Sequence, residues 1–257
     1  MTRRILLTAL IVVLAGALLG CYFHFVGILS AEGRSAARCN RVEVILLDSL
    51  ESAIVDPQEV HSLLEARSLG RRTDRVDLDS IERMLRARGD VLGAEVYTPD
   101  DHTVSARLTQ RKPVLRLEAA VGRWYADPEG YLFPVTHPVD VPVVTGRIPL
   151  SLGEAYKGQA PEASLGWLLG LVDLARYIDS REVLRREIAQ IDIAEDGDIV
   201  LYTRSPGPAI IFGDSGEVAV KFRKLEAWWR NIAPQEDIPD YKTINLKYNN
   251  QIICKQP

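Results

Sequence analysis

Cysteine is scarce in this chain: Cys21, Cys39 and Cys254 are the three present, and none is paired with another at short spacing. The four histidines are scattered, and neither CxxC nor HExxH occurs, so no ligand set for zinc exists and no metal is expected. Glycine-rich phosphate cradles are missing as well. With no G-x-G-x-x-G and no Walker sequence, nucleotide binding has no support, and no cofactor is expected. Positive charge is not in excess, and a formal net charge of −4 argues against a nucleic-acid partner.

What the sequence does contain begins with a long apolar run, Ile5 to Leu29, in which Thr8 and His24 are the clearly polar members. About 20 apolar residues suffice to cross a bilayer core, so the reading is a transmembrane helix. Arg3 and Arg4 precede it and, by charge bias, hold residues 1–4 as a short cytoplasmic tail with the rest of the chain outside. A cleaved signal peptide has a shorter core than this. A lipoprotein cysteine at Cys21 would leave an apolar octamer as the start of the mature chain, so Cys21 reads as an ordinary thiol. Residues 30–40 form a polar tether. Cys39 and Cys254 then share the oxidising side, which leaves a single bridge open, but nothing in the sequence brings them within the roughly 4.4–6.8 Å between Cα atoms that a disulfide needs.

Hydrophobic content of 47% with 26% charged residues is globular composition, so the body beyond the tether should bury a core. Its first part reads as β-α-α-β-β. Arg41 to Leu47 is a strand; Asp56-Pro57-Gln58-Glu59 opens a helix running to about Arg67, with Asp56 and Glu59 forming a capping box. Asp77 caps a second helix with Leu78, Ile81, Met84 and Leu85 on its apolar face, and strands follow at Ala94–Tyr97 and Thr103–Thr109. Two helices on one face of a three-stranded sheet make an α+β layer pair.

After Gln110-Arg111-Lys112-Pro113 the pattern turns to strands: Val114–Ala119, Trp124–Ala126, Tyr131–Phe133 after the turn Asp127-Pro128-Glu129-Gly130, and Val141–Thr145. A helix is predicted from about Pro161 to Tyr177, then a meander of Ile188–Ile193, Ile199–Thr203 and Ala209–Phe212. Asp214-Ser215-Gly216-Glu217 starts a last helix, with Asp214 as cap and a stripe of Val218, Phe222, Leu225, Trp229 and Ile232. One long final strand is predicted from Lys242 to Cys254. The fold class is therefore α+β: one transmembrane helix, a compact β-α-α-β-β domain over residues 41–113, and a mixed β-rich domain with two or more helices over residues 114–257.

Gly213-Asp214-Ser215-Gly216 matches the nucleophile sequence of chymotrypsin-like proteases. A serine nucleophile needs a base, however, and His102 sits in a predicted hairpin turn while His137 precedes Pro138. Helix capping accounts for the same residues, so no catalytic residue is assigned. A membrane-anchored envelope enzyme, a peptidoglycan hydrolase or protease, is kept as the alternative.

The order of elements, the junction Gln110-Arg111-Lys112-Pro113, the segment Trp124 to Phe133, Lys221-Phe222 with Lys224-Leu225, and the ending Tyr241 to Ile252 resemble the FtsQ/DivIB family of bacterial cell-division proteins. The first exported domain resembles that family's POTRA domain. Such a resemblance implies a non-enzymatic divisome scaffold, held in the inner membrane with its body in the periplasm. It also implies docking of the bitopic partners FtsB and FtsL, and contact with other divisome components through the POTRA-like domain. A terminal strand at a sheet edge has unpaired backbone groups to which a partner strand can add. The expected contact residues are Ile244, Leu246 and Tyr248, with Lys247 and Gln251 as polar selectors; the competing reading turns Ile244, Leu246 and Tyr248 into this domain's own core.

Overall fold

The computed structural model describes residues 14–26, 37–48, 54–235, 240–249 and 251–256. Residues 14–26 are helical (α1), and Leu18, Leu19, Tyr22, Phe23 and Phe25 all lie exposed on it. Among the described residues no helix is long and apolar enough to cross a membrane. The ends of the expected span, residues 5–13 and 27–29, lie outside the described residues.

The rest is α+β and divides into two compact units. Unit 1 holds residues 37–48, 56–87 and 93–109, together with α1; unit 2 holds 54–55, 88–92 and 110–256. Residues 54–55, 88–92 and 110–113, expected in the first domain, thus belong to the second.

In unit 1, strand β1 (Arg41–Leu46) is followed by helices α2 (Pro57–Ser68) and α3 (Leu78–Arg86) and by the hairpin of β2 (Val91–Asp100) and β3 (Thr103–Gln110). Local chemistry sets the helix starts. Asp56 Oδ1 accepts from the Gln58 amide at 2.8 Å with Pro57 in the first turn, and Asp77 Oδ1 accepts from the Ser80 amide at 2.9 Å. The sheet order is β1-β3-β2, with β1 parallel to β3. Val104, Ala106 and Leu108 of the central strand are fully buried, as are Val60 and Leu64 of α2 and Leu85 of α3.

Unit 2 is built on a ten-stranded mixed sheet. Its strands are β4 (Leu115–Ala119), β5 (Gly122–Ala126), β6 (Tyr131–Pro134), β7 (Val143–Gly146), β8 (Gly158–Gln159), β9 (Ile188–Ile193), β10 (Ile199–Thr203), β11 (Ala209–Gly213), β12 (Thr243–Asn245) and β13 (Ile253–Lys255). They lie in the order β13-β12-β11-β10-β9-β7-β4-β5-β6-β8. Helices α4 (Glu162–Asp179), α5 (Glu182–Glu187) and α6 (Val218–Asn231) complete the unit. Leu168, Leu171 and Ala175 of α4 meet Leu117, Val144, Ile191 and Leu201 of the sheet in one core.

The last quarter of the chain departs from the expectation in three ways. Glu217, not Asp214, caps α6, and does so from the left-handed region at φ 50° without a side-chain cap bond. Asp214 instead accepts from the Gly216 amide at 3.0 Å and from Lys221 Nζ at 2.6 Å. The buried aromatic near the end of α6 is Trp228, beside Tyr241, while Trp229 is half-exposed and Ile232 lies at the surface. Phe222 stacks on Tyr177 and tilts against Phe212, and it and Leu225 keep their expected buried places, with Val218 and Trp229 partly buried against the same core.

The third departure concerns the long terminal strand, which is replaced by two short strands folded back on each other. β12 runs parallel to β11, and β13 returns antiparallel along β12 with Ile244 opposite Cys254. Asn245 Oδ1 accepts from the Lys247 amide at 2.9 Å, an Asx turn that takes the chain out of the strand. Alternation survives in the sequence because both arms bury the same parity: Ile244 and Leu246 outbound, Ile252 and Cys254 on the return. Cys39 and Cys254 are both free, in separate units, and no bridge joins them.

Candidate docking edge

Among the described residues the sheet of unit 2 ends on β13, whose one strand neighbour there is β12. β11, α6 and β12 build this end in sequence: β11 leaves the sheet, α6 packs over it, and β12 comes back parallel beside it, with the Leu246 amide donating to Ile211 O at 2.9 Å. Two lysines fasten the segment between β12 and β13. Lys224 Nζ, from the middle of α6, donates to the carbonyls of Leu246 and Tyr248, both at 2.7 Å. Partial burial, then the neighbouring Lys221 charge, lowers the Lys224 pKa from the ordinary lysine value. Lys247 Nζ reaches Asp198 at 2.6 Å, and that carboxylate raises the Lys247 pKa.

Gly213 makes this seating fit. It adopts φ +81°, and a Cβ there would lie 2.7 Å from Lys247 Cγ. The stem of Lys247 therefore lies across the bare backbone at the end of β11.

The expected contact residues separate along this path. Ile244 and Leu246 are fully buried in the core of unit 2, as the competing reading had it, so neither presents a side chain to a partner in this state. Tyr248 is 48% exposed, Gln251 is exposed, and Lys247 is half-exposed although it is ion-paired. Ile253, which is exposed on the return strand, and Lys255 beside it were not among the expected contacts. Cys254 faces inward by the Trp228 indole, and burial pushes its thiol up in pKa.

Beside α6 lies a groove of about 470 Å³ lined by Arg181, Glu182, Val183, Glu226, Trp229 and Arg230. Trp229 lines it while packing partly buried against the core. Arg181 lies over the Tyr177 ring at 4.7 Å and faces Glu226 at 3.8 Å, so the groove's floor is aromatic and its rim carries both signs of charge.

Next to Ser215, Asp214 is engaged by Lys221, and His137 Nδ1 lies 3.1 Å from the carbonyl oxygen of Ile54. Ser215 packs on α4 at Gly170, where any added Cβ would collide with its Oγ.

A β-α-α-β-β unit followed by a mixed sheet that closes on a hairpin defines a two-unit α+β body. The family model described as "POTRA-like domain" matches residues 37–109, and the one described as "FtsQ/DivIB, C-terminal related" matches residues 112–255. The chain belongs to the FtsQ/DivIB family. It is similar to the cell division protein FtsQ of Streptomyces bingchenggensis (strain BCW-1), 27% identical over 198 residues that cover 76% of this chain and 71% of that protein.

Proposed function

We propose that the protein acts in cell division as a non-enzymatic scaffold, anchored by the apolar N-terminal run with its two units on the periplasmic side. Its partners in this reading are bitopic proteins of the FtsB and FtsL kind, docked by strand addition to the open side of β13. The observation that carries the proposal is the hairpin of β12 and β13: among the described residues the sheet ends on three residues, with Ile253 exposed, backed by a lysine-fastened segment. Main-chain pairing supplies affinity in such an arrangement, and alternate side chains supply selectivity. Tyr248, Gln251, Ile253 and Lys255 are the residues able to read a partner without unpacking the core, while Ile244 and Leu246 support the platform from beneath.

The test is capture of purified FtsB-like and FtsL-like partners by the full chain and by a chain ending at Asn249, which keeps β12 but lacks β13. Circular dichroism must first establish that both fold. Capture by the full chain alone supports docking on β13; equal capture removes β13 from the mechanism. Absence of capture by either form turns attention to the enzymatic alternative, for which Ser215→Ala would abolish an activity without altering the fold.

A further inference from the structure

Two short pieces of chain that lie, in sequence, inside unit 1 are structural parts of unit 2: residues 54–55, before α2, and residues 88–92, after α3. Both are held by contacts internal to unit 2. At the first piece Ile54 and Val55 are fully buried, and Gln110 Oε1 accepts from the Ile54 amide at 3.0 Å and the Val55 amide at 3.5 Å. The Ile54 carbonyl oxygen lies 3.1 Å from His137 Nδ1, and His137 is itself fixed, because its carbonyl accepts from Tyr125 Oη at 2.8 Å. At the second piece Arg88 grips the buried Asp90 through two bonds, of 2.9 and 2.8 Å. The Asp90 carbonyl accepts from the Arg111 amide at 2.9 Å. Between them Gly89 lies bare against β6: a Cβ there would stand 2.9 Å from the Cβ of the fully buried Phe133.

What these pieces adjoin gives them a role. Val55 directly precedes Asp56, the cap of α2, and Arg88 comes two residues after Arg86, the last residue of α3. α2 has 12 residues and α3 has nine, and helices shorter than about 12–15 residues are marginal without support from their surroundings. They open most easily from their ends. One end of each helix is thus joined, within one or two residues, to backbone that unit 2 already fixes. We propose that residues 54–55 and 88–90 are two straps through which unit 2 keeps the helical layer of unit 1 closed, so that α2 and α3 loosen when the straps are released. The coupling runs along the chain itself, and its currency is local opening. A ligand that stiffens unit 2 therefore protects α2 and α3 without touching either helix. Nothing in this inference depends on membrane anchorage or on the docking edge.

The test reads amide hydrogen exchange on the full chain and on one variant for each strap. Gln110→Leu leaves the Ile54 and Val55 amides buried without their acceptor, and Gly89→Val drives the second strap off Phe133. Exchange should become several-fold faster over residues 54–64 in Gln110→Leu and over residues 78–92 in Gly89→Val, and over both stretches in the double variant. Exchange over β9 to β11 should stay as it is, which shows that unit 2 remains folded. Faster exchange in a strap with no change in its helix overturns the proposal, and so does unchanged exchange in the straps themselves. Where β9 to β11 also speeds up, the variant has opened unit 2 as a whole and thereby released both straps. Opening of α2 and α3 at the same rate then upholds the coupling, and continued protection of α2 and α3 overturns it.

Discussion

Arg111 and Asp127 are locked together at 2.6 Å with both side chains nearly excluded from water. The other carboxylate oxygen of Asp127 accepts from the amides of Glu129 and Tyr131, and the Arg111 guanidinium lies 3.5 Å from the centre of the Tyr131 ring. One arginine thus ties the entry of unit 2 to its first tight turn. Arg111→Met leaves a buried carboxylate without its counter-charge, and the expected cost is about 3–5 kcal/mol. All four tryptophans lie in unit 2, so urea unfolding followed by tryptophan fluorescence reads the loss in that unit.

The adjacent Trp228 and Trp229 of α6 make a paired prediction. Trp228→Ala should destabilise unit 2 by about 3–5 kcal/mol, the range for removing a buried aromatic, while Trp229→Ala, which removes a half-exposed ring, should cost clearly less. Equal losses would contradict the difference in burial between the two rings.

Glu217 holds a left-handed conformation that costs a residue with a Cβ roughly 1–2 kcal/mol relative to glycine. Glu217→Gly should raise the unfolding midpoint, the stabilisation being up to about 1 kcal/mol because glycine also gives back entropy to the unfolded chain.

Asp214 has its pKa lowered first by the hydrogen bond from Lys221, with help from the Gly216 amide. A carboxyl with a depressed folded pKa binds fewer protons folded than unfolded, so its stabilisation is complete above the usual carboxylate range and is lost as pH falls through its folded value. Asp214→Asn should flatten that part of the acid limb in thermal melts taken from neutral to strongly acidic pH. An unchanged acid limb would remove this contact from the stability of the α6 start.

Lys224→Met removes the bonds to the Leu246 and Tyr248 carbonyls. These contacts are partly exposed, so the global loss should be about 1 kcal/mol. Amide exchange over residues 245–249 should accelerate well beyond the change elsewhere in unit 2.

Much of this architecture was legible because it rests on local signals. Asp56-Pro57 and Asp77 start helices, and Val104, Ala106 and Leu108 alternate on a strand, through chemistry confined to a few neighbours. The terminal hairpin was not legible for the opposite reason. Its two arms share one alternation, and the turn depends on Lys224, twenty-odd residues away, holding two carbonyls. On α6 the stripe through Val218, Phe222, Leu225 and Trp229 was legible, but the deeper burial of Trp228 was not, because its neighbour Tyr241 lies beyond the helix. Ile244 and Leu246 were read as partner contacts and lie buried in the core, because periodicity cannot distinguish a side chain facing a partner from one facing its own sheet.

The parallel pairing of β11 and β12 across α6 also fixes an order of events. A parallel neighbour cannot be reached by a tight turn, so β12 finds its place only after the whole of α6 has been threaded and laid over the sheet. β13, which lies outside β12, comes later still. In a chain synthesised from its N-terminus, the proposed docking surface therefore comes after the rest of the described sheet. A copy cut short before β13 would lack that surface, so a loss of the last strand alone would separate recruitment from everything that precedes it.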